Sequence, residues 1–172
     1  DRFFNEELRR LRTDYIDVYQ FHNPYIKDFD QLFGEDGAYR ALAEAKAEGK
    51  IGHIGATAHG LEAFARLIRE YEDKIETMMF PYSIVENQAA DLMKECTEKN
   101  IGFIAMKPLA GGNIDDATLA IKYIVNSPDC TIVIPGMGNA IYAGWNNCGK
   151  SLHPYLCTSA NNFVQPSIKL SS

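Results

Sequence analysis

The chain has no apolar run approaching the roughly 18 residues that cross a bilayer, and its opening, DRFFNEELRR, lacks the apolar core of a signal peptide. A cytoplasmic setting is therefore expected, with no membrane partner. Basic residues are also short: 17 Lys and Arg stand against 23 Asp and Glu, for a formal net charge of -6. Nucleic-acid binding depends on clustered Lys and Arg, so a phosphate backbone is not expected as partner, and a small ligand fits better. The four cysteines, Cys96, Cys130, Cys148 and Cys157, include no close CxxC pair. That excludes a zinc knuckle and a dense disulfide frame, and leaves reduced thiols as the plain reading. No GxGxxG turn follows the first apolar run, which argues against an open dinucleotide-binding sheet.

What is present is an ordinary soluble composition and a repeated local theme. With 172 residues, 46% hydrophobic and 23% charged, the chain can bury one sizeable core. Short β-branched runs alternate with charged amphipathic stretches: YIDVYQF (15–21), IGHIGAT (51–57), IETMMF (75–80), IGFIAM (101–106) and TIVI (131–134). Between them DGAYRALAEAKAEG, GLEAFARLIREYED, NQAADLMKECTEKN and DDATLAIKYIVN place apolar residues at helical spacing. The third helix should open at Glu86 and Asn87 and close at Asn100, and Gly49 should end the first. Strict alternation predicts right-handed crossovers and a parallel sheet. The fold class predicted is α/β, a parallel (β/α) TIM-type barrel, incomplete, with about five strand-helix units. A full barrel takes about 250 residues, so roughly three units are unaccounted for. Beyond Pro135 the sequence is rich in Asn, Ser and Gly and loses its helical period, so irregular structure is expected there.

Five blocks in order resemble the aldo-keto reductases, in particular the bacterial branch that often carries an iron-sulfur appendix. NEELRRLRTDYIDVYQFHNP is similar to the family's helix leading into its fourth strand, GKIGHIGATAHG to the fifth, MMFPYSIVEN to the sixth, NIGFIAMKPLAGG to the seventh and TIVIPGM to the eighth. The resemblance implies a partial barrel over 1–137, truncated at its N-terminus, and a tail over 138–172 that does not match the family. It further implies an NAD(P)H-dependent oxidoreductase that reduces aldehydes or ketones by hydride transfer. Cys148 and Cys157 alone cannot supply the iron-sulfur appendix.

The resemblance also assigns residues. Ile16, Val18, Gln20 and His22 share one face of a pleated strand, and a histidine at the C-terminal end of a barrel strand sits where such enzymes place reacting groups. By resemblance His22 orients the substrate carbonyl. The family's tyrosine, aspartate and lysine come from earlier segments, so this chain is expected to be incompetent alone. Tyr15, Tyr19, Tyr25 and Tyr82 are read as packing residues rather than replacement donors. Thr57 falls where the family bonds the nicotinamide carboxamide, while Ala58 stands in place of a frequent asparagine and Met79 in place of a frequent glutamine. Met106 replaces an aromatic that stacks on the nicotinamide, and a thioether can also pack on a ring face. Lys107, Pro108, Leu109, Ala110, Gly111 and Gly112 form a loop whose backbone and cation could approach phosphate oxygens. Gly136, Met137 and Asn139 fall where the family grips the adenosine phosphate end. Tyr142 lies near the position of the arginine that reads a 2′-phosphate, which leaves NADP or NAD open.

Two further readings complete the set. His22, His53 and His59 could be drawn as a metal trio, but no carboxylate or thiol recurs at ligand spacing, so no metal site is expected. Five parallel strands leave two open edges, which invites self-association. The alternative to an oxidoreductase is a non-catalytic module that binds nicotinamide or docks a partner protein.

Overall fold

The computed structural model describes residues 2–136. Among these residues six α-helices and five strands follow one another, alternating except for the consecutive α2 and α3: α1 (Arg2–Leu11), β1 (Ile16–Phe21), α2 (Phe29–Phe33), α3 (Ala38–Ala47), β2 (Ile51–Thr57), α4 (Leu61–Glu70), β3 (Thr77–Pro81), α5 (Ala90–Glu98), β4 (Gly102–Met106), α6 (Ala117–Val125) and β5 (Ile132–Ile134). The strands form one sheet in sequence order, and every neighbouring pair is parallel. Sequential order with helical crossovers is the connectivity of a TIM-type barrel, and five units make a curled half-barrel.

The apolar runs became strands because one of their faces is fully covered by helices. Ala56, Met78, Phe80, Phe103 and Ala105 alternate along β2, β3 and β4 and pack against Phe64, Leu67 and Ile68 of α4, Met93 and Cys96 of α5 and Ile124 of α6. Phe64 is fully buried, with its ring centroid 5.1 Å from that of Phe80 and 5.9 Å from that of Phe103. Removing such a side chain from water contributes about 3 kcal/mol. At the other end of the sheet Leu42 and Ala45 of α3 pack on Ile51 and Ile54, joined by Phe4, Tyr19 and Phe21.

Helix boundaries follow their capping chemistry. Asp116 accepts a hydrogen bond from the Leu119 N–H at 2.9 Å and so caps α6. Gly49, at φ 75°, turns the chain out of α3 as its position predicted. Helix α5 begins at Ala90 rather than at Glu86 or Asn87. The preceding residues form a tight turn instead, in which the Ser83 hydroxyl accepts from the Glu86 N–H at 3.0 Å. Asn100, past the end of α5, takes φ 57° and stops the helix. Helix α2 was not foreseen, because five residues carry too little period to stand out. Its Phe29 and Phe33 are buried, with Phe33 stacked at 4.3 Å on Tyr71 of the α4 C-cap.

The opposite, concave face is the one a barrel turns inward, and its register explains a glycine, Gly55, that the sheet cannot replace. Gln20 pairs with Gly55, and Gly55 with Thr77. A Cβ on Gly55 would overlap the Thr77 hydroxyl and lie 2.7 Å from the Thr77 carbonyl oxygen. With no side chain between them, the Gln20 amide reaches over β2 and donates to the Thr77 hydroxyl at 3.3 Å. A layer built from alternate strands, with the intervening strand contributing only backbone, is how barrel interiors fill.

Candidate functional site

All five strands run parallel, so their C-terminal ends meet at one rim. There the concave face presents Thr57 at the end of β2, Met79 and Pro81 on β3, Met106 at the end of β4 and Ile134 at the end of β5. Register makes them neighbours: Thr57 pairs with Met79, Pro81 with Met106 and Met106 with Ile134. His22 follows β1 directly and is exposed. It stands two residues past Gln20, the position that strand alternation, if continued beyond β1, assigns to the same face.

Thr57 is 5% exposed, and its hydroxyl accepts a hydrogen bond from the Asn23 N–H at 2.8 Å. Among the described residues the hydroxyl's own proton has no acceptor, so it can donate into the concave face. Met79 and Met106 are half-buried, their thioethers lining the rim. Ala58 is buried and its N–H is committed to the Met79 carbonyl at 3.0 Å, so it adds no polar side chain there.

The loop after β4 is unusual in backbone conformation. Lys107 has φ 54°, Ala110 48°, Gly111 71° and Gly112 99°. Positive φ at four of six successive positions turns the chain sharply, and a Cβ at either glycine would meet nothing within 4 Å. Lys107 is exposed, Pro108 buried and Leu109 half-buried. The backbone at Gly111 and Gly112 is thus open to close approach by an anion, with a cation on the same loop. Gly136 is exposed two residues beyond β5. Met137 and Asn139, together with Tyr142 and the whole of 138–172, lie outside the described residues.

Of the tyrosines, Tyr15 lies away from this rim, Tyr19 and Tyr82 are committed elsewhere, and Tyr25 is on the loop beyond β1. Tyr19 lies on the helix-facing side, where its hydroxyl donates to Glu7 at 2.6 Å; burial, and then the Glu7 hydrogen bond, push its pKa up to about 12. Tyr82 stacks with Tyr123 and meets Phe103 edge-on, and burial followed by the Tyr123 hydrogen bond raises it to about 12. Tyr15 precedes β1, at the opposite end of the strand from His22. Tyr25 is exposed on the loop after β1, 5.7 Å from the Lys27 ammonium. His53 also lies far from the rim: its Nδ1 is 3.1 Å from Glu76, which accepts from Lys46 and from the Ile54 N–H as well. The three histidines are therefore not gathered, and His53 belongs to a polar tie between α3, β2 and the start of β3.

Sequence reasoning set Gln20 on the same strand face as His22, but overlooked Gly55, Thr77 and Asn23 as parts of the concave face and its rim. An isolated glycine within a strand was the available signal for Gly55 and Thr77, since it marks close approach of another chain segment. For Asn23 there was none beyond its place before Pro24.

A half-barrel of parallel strands with its polar groups at the C-terminal rim is the framework of (β/α)-barrel enzymes. Comparison with known proteins gives the family. The model of the aldo/keto reductase family matches residues 1–118, and the chain belongs to that family. An uncharacterized oxidoreductase, YcsN, of Bacillus subtilis is 31% identical over 111 residues, covering 63% of this chain and 35% of that protein. An NADPH-dependent alpha-keto amide reductase of Saccharomyces cerevisiae is 29% identical over 104 residues, covering 59% of this chain and 33% of that protein. In three dimensions the holo form of aldo-keto reductase AKR11C1 from Bacillus halodurans superposes with a TM-score of 0.74 at 22% identity, covering 89% of this chain and 61% of that one. The chain thus spans about a third of the length of the curated relatives it matches. No helix among the described residues is long and apolar enough to cross a membrane.

Proposed function

We propose that the rim formed by His22, Thr57, Met79, Met106 and the 107–112 loop is the nicotinamide-facing part of an aldehyde or ketone reductase site. The observation that carries this reading is Thr57: a buried hydroxyl at the rim, its lone pair taken by Asn23 and its proton unpaired among the described residues. A carboxamide oxygen is the kind of acceptor such a proton fits, and the half-buried thioethers of Met79 and Met106 offer soft surface to a flat ring. The open backbone at Gly111 and Gly112 beside Lys107 suits a pyrophosphate. Gly136 and Met137 would continue toward the adenosine end. NADPH is the first cofactor to test, because the yeast relative is named for its NADPH dependence; NADH is the comparison.

A bound nicotinamide would supply the hydride for carbonyl reduction. The chain's own contribution is to hold and orient: Thr57 donates to the carboxamide, Met106 covers one face of the ring site, and His22 donates to the carbonyl oxygen. A proton for the developing alkoxide must come from a group within hydrogen-bond reach, and the strand-end residues proposed for the site, His22, Thr57, Met79 and Met106, include no tyrosine. The proposal accordingly holds that the 172-residue chain binds cofactor without turnover. The cytoplasmic setting and the division into a barrel portion over 1–137 and a separate tail over 138–172 belong to the same proposal. So does self-association, supported by β1 and β5, each of which is paired on one side only within the described sheet.

Titration of the chain with NADPH, followed by cofactor fluorescence, tests this reading. Saturable binding is expected, with Thr57→Val weakening it by about tenfold at most. Absence of binding removes the reading, and aldehyde reduction by the pure chain removes the claim that the proton donor lies elsewhere. Sedimentation over a range of concentrations tests self-association, which a monomer at all concentrations would exclude.

A further inference from the structure

The backbone ladder between β1 and β2 ends at the pair Phe21 and Ala56. Beyond it Thr57 remains paired with Met79 of β3 but has no strand partner on β1. The chain leaving β1 is nonetheless still held to β2 by one bond, from the Asn23 N–H to the Thr57 hydroxyl at 2.8 Å. A side-chain oxygen there does what a strand carbonyl does one step earlier.

That bond secures a turn that the following proline disfavours. Asn23 has φ 46°, a left-handed region that Asn enters more readily than most L-residues. It also precedes Pro24, and proline favours an extended residue before it, near φ -120°. The proline's preference opposes the observed conformation, and an anchored N–H helps to offset it. The anchor is itself stiff, because Thr57 is β-branched, buried and the last residue of a strand. His22 lies between the two fixed points: Phe21 is held by the ladder and Asn23 by the hydroxyl.

We infer that Thr57 is a positioning residue for His22, acting through the Asn23 N–H to fix the direction in which the histidine leaves the end of β1. The functional weight of this joint rests on the reading of His22 as the carbonyl-facing group. The joint itself does not require a bound cofactor. Thr57 thereby has two uses at once: its lone pair orders the histidine while its proton remains available to a ligand.

The test uses the isotopically labelled 172-residue chain without cofactor, read by NMR. Thr57→Val keeps the shape and removes the hydroxyl. It should speed exchange of the Asn23 amide proton by about tenfold, the loss expected for one hydrogen bond, and it should shift and broaden the His22 ring resonances. Thr57→Ser should restore both signals. Ile124→Val, a trimmed core residue on α6 that is fully buried away from the rim, should lower stability and move neither signal. Unchanged Asn23 exchange and unchanged His22 resonances in Thr57→Val would overturn the inference, as would an equal disturbance from Ile124→Val. Should Thr57→Val fail to fold, the wild-type chain decides: an Asn23 amide exchanging at the rate of an unprotected loop overturns the joint, and a protected one that stays protected in Thr57→Ser supports it. Failure of NADPH to bind would remove the reductase reading and leave these observations standing, so the two failures are distinguishable.

Discussion

Gly55→Ala is the sharpest test of how the concave face is built. The added methyl would overlap the Thr77 hydroxyl and lie 2.7 Å from the Thr77 carbonyl oxygen, which belongs to the main chain of β3 and cannot rotate away. Overpacking a tight interior costs about 1–3 kcal/mol. With backbone as one of the two obstacles, the upper end, about 3 kcal/mol, is expected, a large share of the about 5–15 kcal/mol that holds an ordinary domain together. Thr77→Ala alone should cost about 1 kcal/mol, because it deletes the acceptor of the Gln20 amide. The double variant separates the two obstacles: removing the hydroxyl should recover about 1 kcal/mol, and the carbonyl contact should keep the rest. Urea unfolding midpoints at constant slope provide the measurement. A Gly55→Ala chain within ~0.5 kcal/mol of wild type, or a double variant with no recovery, would refute this account of the layer.

Three further outcomes follow from the packing. Phe64→Ala empties the centre of the Phe80 and Phe103 cluster and should cost about 3–5 kcal/mol by the same urea measurement. Burial pushes Glu76 upward, but hydrogen bonds from Lys46, His53 and the Ile54 N–H outweigh it and leave its carboxyl below the ordinary value. A depressed carboxylate contributes stability that is present above the unfolded pKa of about 4.3 and is lost as pH falls through the folded value. Glu76→Gln should therefore flatten the fall in the urea midpoint below about pH 4.3; an acid limb identical to wild type would show that the tie between α3 and β3 is inert. Burial raises the Cys96 thiol to about 12 and the Cys130 thiol to about 11. The buried Cys96 should resist maleimide at neutral pH in the folded chain and react on unfolding, with the half-buried Cys130 labelling faster than Cys96, as peptide mass mapping can show; rapid native labelling of Cys96 would contradict the packing of α5.

Much of the framework was legible because two periods are written plainly in the chain. The run IGHIGAT became β2 over the same seven residues, since β-branched and small residues alternate there between a helix-covered face and a close-packed interior. The other runs lost a residue or two at their ends: Tyr15 precedes β1, and β3 begins at Thr77 because Ile75 and Glu76 are still in the approach, although the Glu76 N–H already pairs with the Ile54 carbonyl at 2.7 Å. Helix α2 was missed because five residues cannot display a helical period, and it exists through the burial of Phe29 and Phe33 against Tyr71. The start of α5 moved to Ala90 because Ser83 and Glu86 satisfy each other in a turn.

The sequence by itself determined the order of elements, the parallel sense of the sheet and the family, since all three follow from local period, crossover length and ordered motifs. It also named most of the rim: His22, Thr57, Met79, Met106 and the 107–112 loop all fall at or beside strand ends that parallel pairing brings to one side. Only the tertiary structure decided what those residues do to one another. That Gln20 reaches Thr77 across a bare Gly55 depends on register between three strands, and that Thr57 holds the Asn23 N–H depends on where a ladder stops. Both are distances between segments 34 residues or more apart in the chain, and such distances are set by packing and pairing, which no local pattern encodes.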